Sequence, residues 1–589
     1  MRRRNPLLVT VLLGTIAAAA PAFAQQTVGL FTNEPESFEG YTLYPKLNTT
    51  ETYLIDHHGK LINQWSSAFI NGNTVYLLPD GNLLKAVRWE PVPIARFNAG
   101  GRGGRVEILD WNGMVVWDFP YASDTFRHHH DIAPMPNGNV LLIAWELKDS
   151  TEAIQAGRDP MMLPDGELWP EKIIEVEPTS PTSGSIVWEW HLWDHLVQDL
   201  DPTKDNFGVV ADHPELVDIN FLAGRNGSAD WLHANAIDYN PDLDQILLSN
   251  PFINEIWVID HSTTTAEAAG HTGGNSGKGG DLLYRWGNPQ AYDRGTSNDQ
   301  KLFNQHDPEW IDAGLPGAGN ILIFNNGTGR PAPEFTSIDE IAPPVDMNGN
   351  YTLGVGQAYG PPSPTWSYTA NPPESFFAGF LSSAQRLPNG NTLIDNGPVG
   401  EFFEVTNTLS TVWRYVNPIG TTGPTMQGTA PAGNNVFRAE RYATDYAGLI
   451  GQDLTPGDPL ELFNAPAPAP DGGGGTTLMT VQELSPAGTQ VRVGWDPSCL
   501  SFDYNLIYGD LNNVASYSIL GAECSIGISG TYDFLNVPGG SLYFLVVGID
   551  DTGVYESSWG FDGAGNERNG EAPSFTCTAT NKIVTPTCP

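Results

Sequence analysis

The chain has 589 residues, of which 68 are Asp or Glu and only 28 Lys or Arg, for a formal net charge of −40, with 40% hydrophobic and 11% aromatic residues. This is long enough for a large core and a second domain, and so acidic a chain excludes nucleic acid as a partner, because that binding depends on neutralising phosphates. The four cysteines, Cys499, Cys524, Cys577 and Cys588, all lie near the C-terminus, which excludes a thiol nucleophile from the rest of the chain.

Residues 1–24 read as a secretory signal peptide: MRRR, an apolar run from Leu7 to Ala20, and Ala22-Phe23-Ala24 before the cleavage point. No other stretch is apolar enough to span a bilayer, so a periplasmic or secreted protein is expected. Loss of three leader arginines takes the charge from −40 to −43. An anionic ligand would therefore need a local positive field, supplied by protonated histidines or arginines.

Residues 25–463 carry a repeated unit. A strand-like run ends in tryptophan at Trp65, Trp117, Trp190 and Trp286, in a degenerate copy at Trp366, and at Trp413. Each is followed by a phrase resembling LPNGN between two apolar runs, as a hairpin requires. Its first position is Asn73, His130, His233, His306 and Ser382 in turn, the sixth copy, NNVFRA, being too degenerate to place. Short strands and Gly/Asn turns at this long period predict an all-β fold, a six-bladed β-propeller with four-stranded blades. Equivalent positions then converge on one end of the central channel, so three imidazoles should meet there. Taken singly, His57, His58, His191, His195, His213, His261 and His271 read as hydrogen-bonded structural residues.

Two insertions, Glu146 to Asp230 and Asn325 to Phe377, are rich in Trp, Tyr and Pro. Loops of that length commonly wall a pocket, and these would suit a flat aromatic ligand or simply pack together. Residues 464–477 (NAPAPAPDGGGGTT) form a Pro/Gly-rich linker. Residues 478–589 show the alternating short strands of a small β-sandwich of fibronectin type III appearance. An even cysteine count in an exported chain predicts two disulfides, most simply Cys499 with Cys524 and Cys577 with Cys588.

The motifs HHHDIAPMPNGN, DWLHANAIDYN, LLYRWGNPQAYDRGT, QHDPEWI and NVFRAERYATDYAGL occur in that order. Together they resemble the bacterial arylsulfate sulfotransferases, over roughly residues 27–460. The resemblance implies a six-bladed propeller that transfers a sulfuryl group from a phenolic sulfate donor to a phenol acceptor through a transiently sulfated histidine. By motif that nucleophile is His306, supported by His233 and Asn235 from WLHAN and by His130 or His129 from HHHD. The family places an arginine shortly after the second histidine. Here Asn250 and Pro251 stand in its place, and Arg285 and Arg330 are the nearest substitutes in sequence. The scheme needs no cofactor or metal, and Asp131 and Asp307 could orient the imidazoles. Two other readings stand beside it: a zinc hydrolase that uses the same three histidines as ligands, and an exported binding or adhesion propeller without catalysis.

Overall fold

The alternating apolar residues and glycine turns give each repeat the same result, an antiparallel meander of four strands. The computed structural model describes residues 26–90, 99–221, 228–462, 478–486, 488–495, 501–550, 553–562, 566–570 and 572–584. The leader, the 464–477 linker, Cys499 and Cys588 lie outside the described residues. In the LPDGN, MPNGN and LPNGN turns, Gly81, Gly138 and Gly390 adopt φ of +87° to +89°, a conformation open to glycine at no steric cost. In each, the glycine N–H bonds back to the first residue of the phrase.

The chain divides into two compact units, one comprising Val28–Thr425 and Ala430–Glu461 and the other including Leu462–Pro589. Among the described residues the larger unit holds six sheets of four or five strands, besides three two-stranded ones. Sheet 1 is Glu440–Ala443, Gly40–Pro45, Glu51–Ile55 and Leu61–Ser66 in hydrogen-bonding order, so its first strand comes from the end of the unit. Sheets 2 to 5 follow the chain and start with Ile70–Leu77, Phe126–Pro134, Ala236–Asn240 and His306–Trp310. Sheet 6 starts with Ser383–Arg386 and gains Gly29–Asn33 as a fifth strand beyond Thr411–Val416.

The sheets are stitched together twice. The six repeat tryptophans each donate their ring N–H to a backbone carbonyl of the following module: Trp65 to Asp110, Trp117 to Ser183, Trp190 to Gly280, Trp286 to Pro361, Trp366 to Asn407 and Trp413 to His57. The last step returns to the first sheet. A second circuit joins the first strands, through Leu77 N to Tyr442 Oη, Tyr76 Oη to Asp131, Ile237 N to Asp131, Trp310 N to Asp238, Ala384 N to Asp307, and Arg441 N to Gln385. Arg438 spans this inner circuit. Its Nη2 lies 2.8 Å from Asp131 Oδ2 and 2.5 Å from Asp307 Oδ1, and its Nη1 bonds Tyr76 Oη.

In the smaller unit a three-stranded sheet (Thr480–Glu483, Val491–Gly494, Thr531–Phe534) and a five-stranded one centred on Leu542–Ile549 share a core that includes Val493, Leu506, Phe534 and Val546. A disulfide joins Cys524 to Cys577, which corrects the sequence-neighbour pairing. The fold carries the turn before Asn581–Ile583 back to the end of Ile519–Glu523, across 53 residues of chain.

Removing one partner from a buried charge cluster costs about 3–5 kcal/mol, because the remaining charges stay buried and uncompensated. Arg438→Met should therefore lower the unfolding free energy by roughly that amount in urea titrations. A loss below about 1 kcal/mol would mean that the cluster contributes little.

Candidate active site

A cavity of about 420 Å³ receives residues from all six repeats: Asn73, His130, His233, His306, Leu381 and Phe437 all line it. The three repeat-matched histidines thus do meet. Ser382 is buried beside Leu381, and the degenerate sixth copy contributes Phe437, followed by Arg438 at the position that Asp131 and Asp307 hold after their histidines.

Bulges aim these side chains. Pairing slips between Asn71 and Val75 in sheet 2, between Ile132 and His128 in sheet 3, and between His306 and Glu309 in sheet 5. Asn73, His130, His233 and Ser382 have positive φ, as does Asp307 after His306. A β-bulge inserts unpaired residues and turns a side chain out of the regular alternation, here toward the cavity.

Each histidine is held from behind. His306 Nδ1 lies 2.9 Å from Asn326 Oδ1, while the Asn326 amide nitrogen donates to the carbonyls of Ala378 and Leu381. That amide can therefore only accept from the ring, so His306 carries its hydrogen on Nδ1 and presents Nε2 as a lone pair. His233 Nδ1 is 2.7 Å from the Asp230 carboxylate, and its ring stacks on Phe252. His130 Nδ1 meets His129 Nδ1 at 2.8 Å, and His129 Nε2 meets Glu171 Oε2 at 2.8 Å. The His130 and His233 rings are 4.4 Å apart, edge to face.

Burial dominates the electrostatics. It drives His306 down to about 4, despite the opposing bond from Asn326. It also pushes His129 and His130 well below the usual imidazole range, with neighbouring imidazoles adding to the effect, and lifts Glu171 well above the carboxylate range. With His306 and His130 neutral, positive charge at the cavity comes from Arg88 and Arg102. Both line it and share Glu90, at 2.7 and 3.1 Å. Burial alone would raise Glu90, but Arg88, with Arg102 and Arg127 adding charge, holds it below the carboxylate range.

Several expected site residues lie elsewhere. His129 is fully buried, stacked on Trp145, and reaches the cavity only through His130. Asn235 is fully buried and donates to the Gln305 carbonyl. Arg285 is consumed by Glu255 and by the Leu216 carbonyl, and lies over Tyr292. Arg330 bonds Ser337 and stacks on Phe335. Neither arginine lines the cavity, because sequence proximity to the missing cation did not translate into spatial proximity. Asp131 and Asp307 bind Arg438 and neighbouring backbone rather than the imidazoles. The aromatic walls are Phe252, Phe380 and Phe437, whereas Trp188, Trp190, Tyr351 and Tyr359 of the insertions pack in cores.

Sequence reading missed Asn326, Asp230, Glu171, Arg88 and Arg102. A signal existed for Arg102, which sits in AGGRGG. Gly101 has φ +67° and accepts from His130 N, and a Cβ there would strike the His130 ring. The glycines let this segment cross the histidines at close range. The three cavity histidines do not hold their ring nitrogens within metal-sharing distance. Among the described residues, a three-donor group with ligand atoms within 4.8 Å of one another occurs at His195, His271 and Asp281.

The sequence profile described as Arylsulfotransferase (ASST) matches residues 30–421, taking in every cavity histidine. The chain belongs to the arylsulfotransferase family. Membership supports sulfuryl transfer between small molecules as its chemistry. No curated protein matches the sequence. Among solved structures, a protein of unknown function from Bacteroides caccae is 11% identical with a TM-score of 0.35, over 65% of this chain and 95% of the other. A catalytically inactive virginiamycin B lyase from Staphylococcus aureus, solved with quinupristin, is 10% identical with a TM-score of 0.31, over 68% and 91%. Likenesses this weak bear on neither mechanism nor substrate. No helix among the described residues is long and apolar enough to cross a membrane.

A histidine neutral when folded but free to protonate when unfolded stabilises the fold above its unfolded pKa, and this contribution is lost as pH falls. For His306 the window runs from 6.5 down to about 4. Histidine NMR titration should find His306 neutral throughout pH 5–7, and an ordinary titration near 6.5 would contradict the buried, Asn326-bonded ring.

Proposed function

We propose that this chain is an exported aryl-sulfate sulfotransferase, its six sheets the blades of a β-propeller and its smaller unit a fibronectin type III-like sandwich. It moves a sulfuryl group from a phenolic sulfate to a phenol by a ping-pong route through sulfated His306. The observation that carries the reading is the Asn326 bond, which leaves a neutral His306 ring with a free Nε2 lone pair at a cavity shared with His130 and His233. The cavity volume suits a small aromatic ester, within the roughly 300–1,000 Å³ of small-molecule sites, and the three phenylalanines offer it flat walls.

In the first half-reaction His306 Nε2 attacks sulfur in line. The N–S bond forms and the S–O bond to the aryl group breaks, its electron pair leaving with the phenoxide. In the second, an acceptor phenol attacks sulfur, the N–S bond breaks and the phenol proton is taken up. Arg88 and Arg102, both at the cavity, supply the field for the sulfate that the family draws from an arginine at the site of Asn250 and Pro251. His233, backed by the Asp230 carboxylate, is suited to donate to a sulfuryl oxygen.

The leaving phenoxide needs a proton, and Glu171, His129 and His130 form a path for one. In one state Glu171 is a carboxylic acid, His129 carries its hydrogen on Nδ1 and His130 on Nε2. Release of the His130 proton to the phenoxide shifts one hydrogen along each bond. The chain then ends as a Glu171 carboxylate, His129 protonated on Nε2 and His130 on Nδ1. Both imidazoles stay neutral in both states, in keeping with their burial, and one proton leaves. The acceptor phenol returns it by the reverse path. Glu171 is thus a positioning and proton-storing residue acting through His130.

Intact-mass measurement after brief mixing with a chromogenic aryl sulfate should find one sulfuryl adduct on the wild type, discharged by a phenol and absent from His306→Ala. Turnover without an adduct would contradict the covalent route, and no turnover across aryl sulfates would overturn the activity. Glu171→Gln should slow sulfates with poor phenolic leaving groups by about 10²–10⁴, the usual weight of general acid catalysis. Nitrophenyl-type donors, whose phenoxides need little protonation, should be much less affected, and the fall of rate at high pH should disappear. Equal slowing of both donor types would reduce Glu171 to a structural role.

A further inference from the structure

Outside the cavity, His195, His271 and Asp281 converge on one point. His195 follows the last strand of sheet 3, Ser183–His191, and is completely buried, its ring stacked parallel on Trp190. His271 and Asp281 belong to the long connection between Glu255–Asp260 and Tyr284–Trp286 in sheet 4. His195 Nδ1 is 2.9 Å from Asp281 Oδ1, and His271 Nδ1 is 2.8 Å from the same oxygen.

The hydrogen-bond inventory sets a constraint. His195 Nε2 lies 2.8 Å from the Ala268 carbonyl, which can only accept, so this nitrogen carries a hydrogen. In a neutral ring Nδ1 is then a lone pair, and it is aimed at a carboxylate oxygen that offers another. Two lone pairs at that distance repel, so a positive species must lie between them, either a second proton or a cation. The third donor decides our choice. His271 brings its Nδ1 to the same oxygen with its ring turned 88° from that of His195, and its side chain is 60% exposed.

We propose that His195, His271 and Asp281 bind a zinc-class divalent cation. Two imidazole nitrogens and one carboxylate oxygen are a ligand set that zinc favours. A zinc-ligating histidine usually donates its other ring N–H to a carbonyl or carboxylate, as His195 does to Ala268. Tetrahedral bonds of about 2.0 Å place ligand atoms about 3.3 Å apart; the two nitrogen-to-oxygen spacings need only a few tenths of an ångström of opening, and all three donor atoms lie within 4.8 Å of one another. Water fills the remaining position on the exposed side of His271.

The ion would clamp the segment after sheet 3 to the long connection of sheet 4. The same junction carries the Trp190 bond to the Gly280 carbonyl. Gly280 has no room for a Cβ, which would strike the Ala268 carbonyl and approach His195 Nε2. None of the three donors lines the cavity, so the site is independent of the sulfuryl-transfer reading.

The test uses the full mature chain, stripped with a chelator and given zinc chloride, with metal measured by atomic emission after desalting and stability by thermal unfolding. The expected result is one zinc per chain and a raised melting temperature in the wild type and in His306→Ala, with both effects lost in His271→Ala. The exposed ring makes His271→Ala the safe variant for folding, and Asp281→Asn, of unchanged shape, should lose zinc too. A wild type that retains no zinc would assign the gap to a proton and overturn the proposal. Zinc kept by His271→Ala but lost from His306→Ala would overturn it as well, placing the metal among the cavity histidines.

Discussion

Every feature of the larger unit depends on each sheet being bonded to the next at two levels. A four-stranded meander leaves two edges and two faces to satisfy. Here the tryptophan N–H groups bind the outer parts of neighbouring modules, and the polar residues of the first strands bind the inner parts. Because the last step of each circuit returns to sheet 1, built from both ends of the unit, displacement of one sheet strains bonds in its neighbours. The cavity histidines inherit their relative positions from this frame.

The inner circuit is costly in charge, and that cost shapes the chemistry. Arg438, Asp131 and Asp307 are buried together, and buried ions persist only when paired and hydrogen-bonded. Asp131 meets this demand through Arg438, Tyr76 and the Ile237 amide. Immediately above, burial acts in the opposite sense on His306 and His130, each of which has an uncharged partner behind it, and both are held neutral. A neutral imidazole is a nucleophile or a link in a proton chain rather than an anion-binding group. The positive field in so acidic a protein therefore falls to Arg88 and Arg102, whose partial exposure keeps their desolvation small.

The arginine that the resemblance led one to expect after the second histidine is absent, and other cations reach the cavity. Asn250 is fully buried, while Pro251 and Phe252 line the cavity, so apolar wall stands where the cation would be. The arginines that do reach the cavity come from the second strand of sheet 2 and from the glycine-rich segment before its third strand, more than a hundred residues earlier in the chain.

The sequence by itself determined the repeat, and with it the histidine trio. A side chain at a fixed place in a repeated strand-turn-strand unit keeps that place in every copy, so His130, His233 and His306 could be matched without knowing the fold. The low cysteine count and the turn glycines were legible for the same reason, being local properties of the chain. Tertiary structure alone decided which of His129 and His130 faces the cavity, because a bulge resets the alternation that sequence periodicity assumes. It alone paired Cys524 with Cys577 and consumed Arg285 and Arg330 in internal contacts. It alone brought Asn326, Asp230 and Glu171 behind the imidazoles. These partners lie at sequence distances that no pattern encodes, and only the packing of separate strands and loops makes them neighbours.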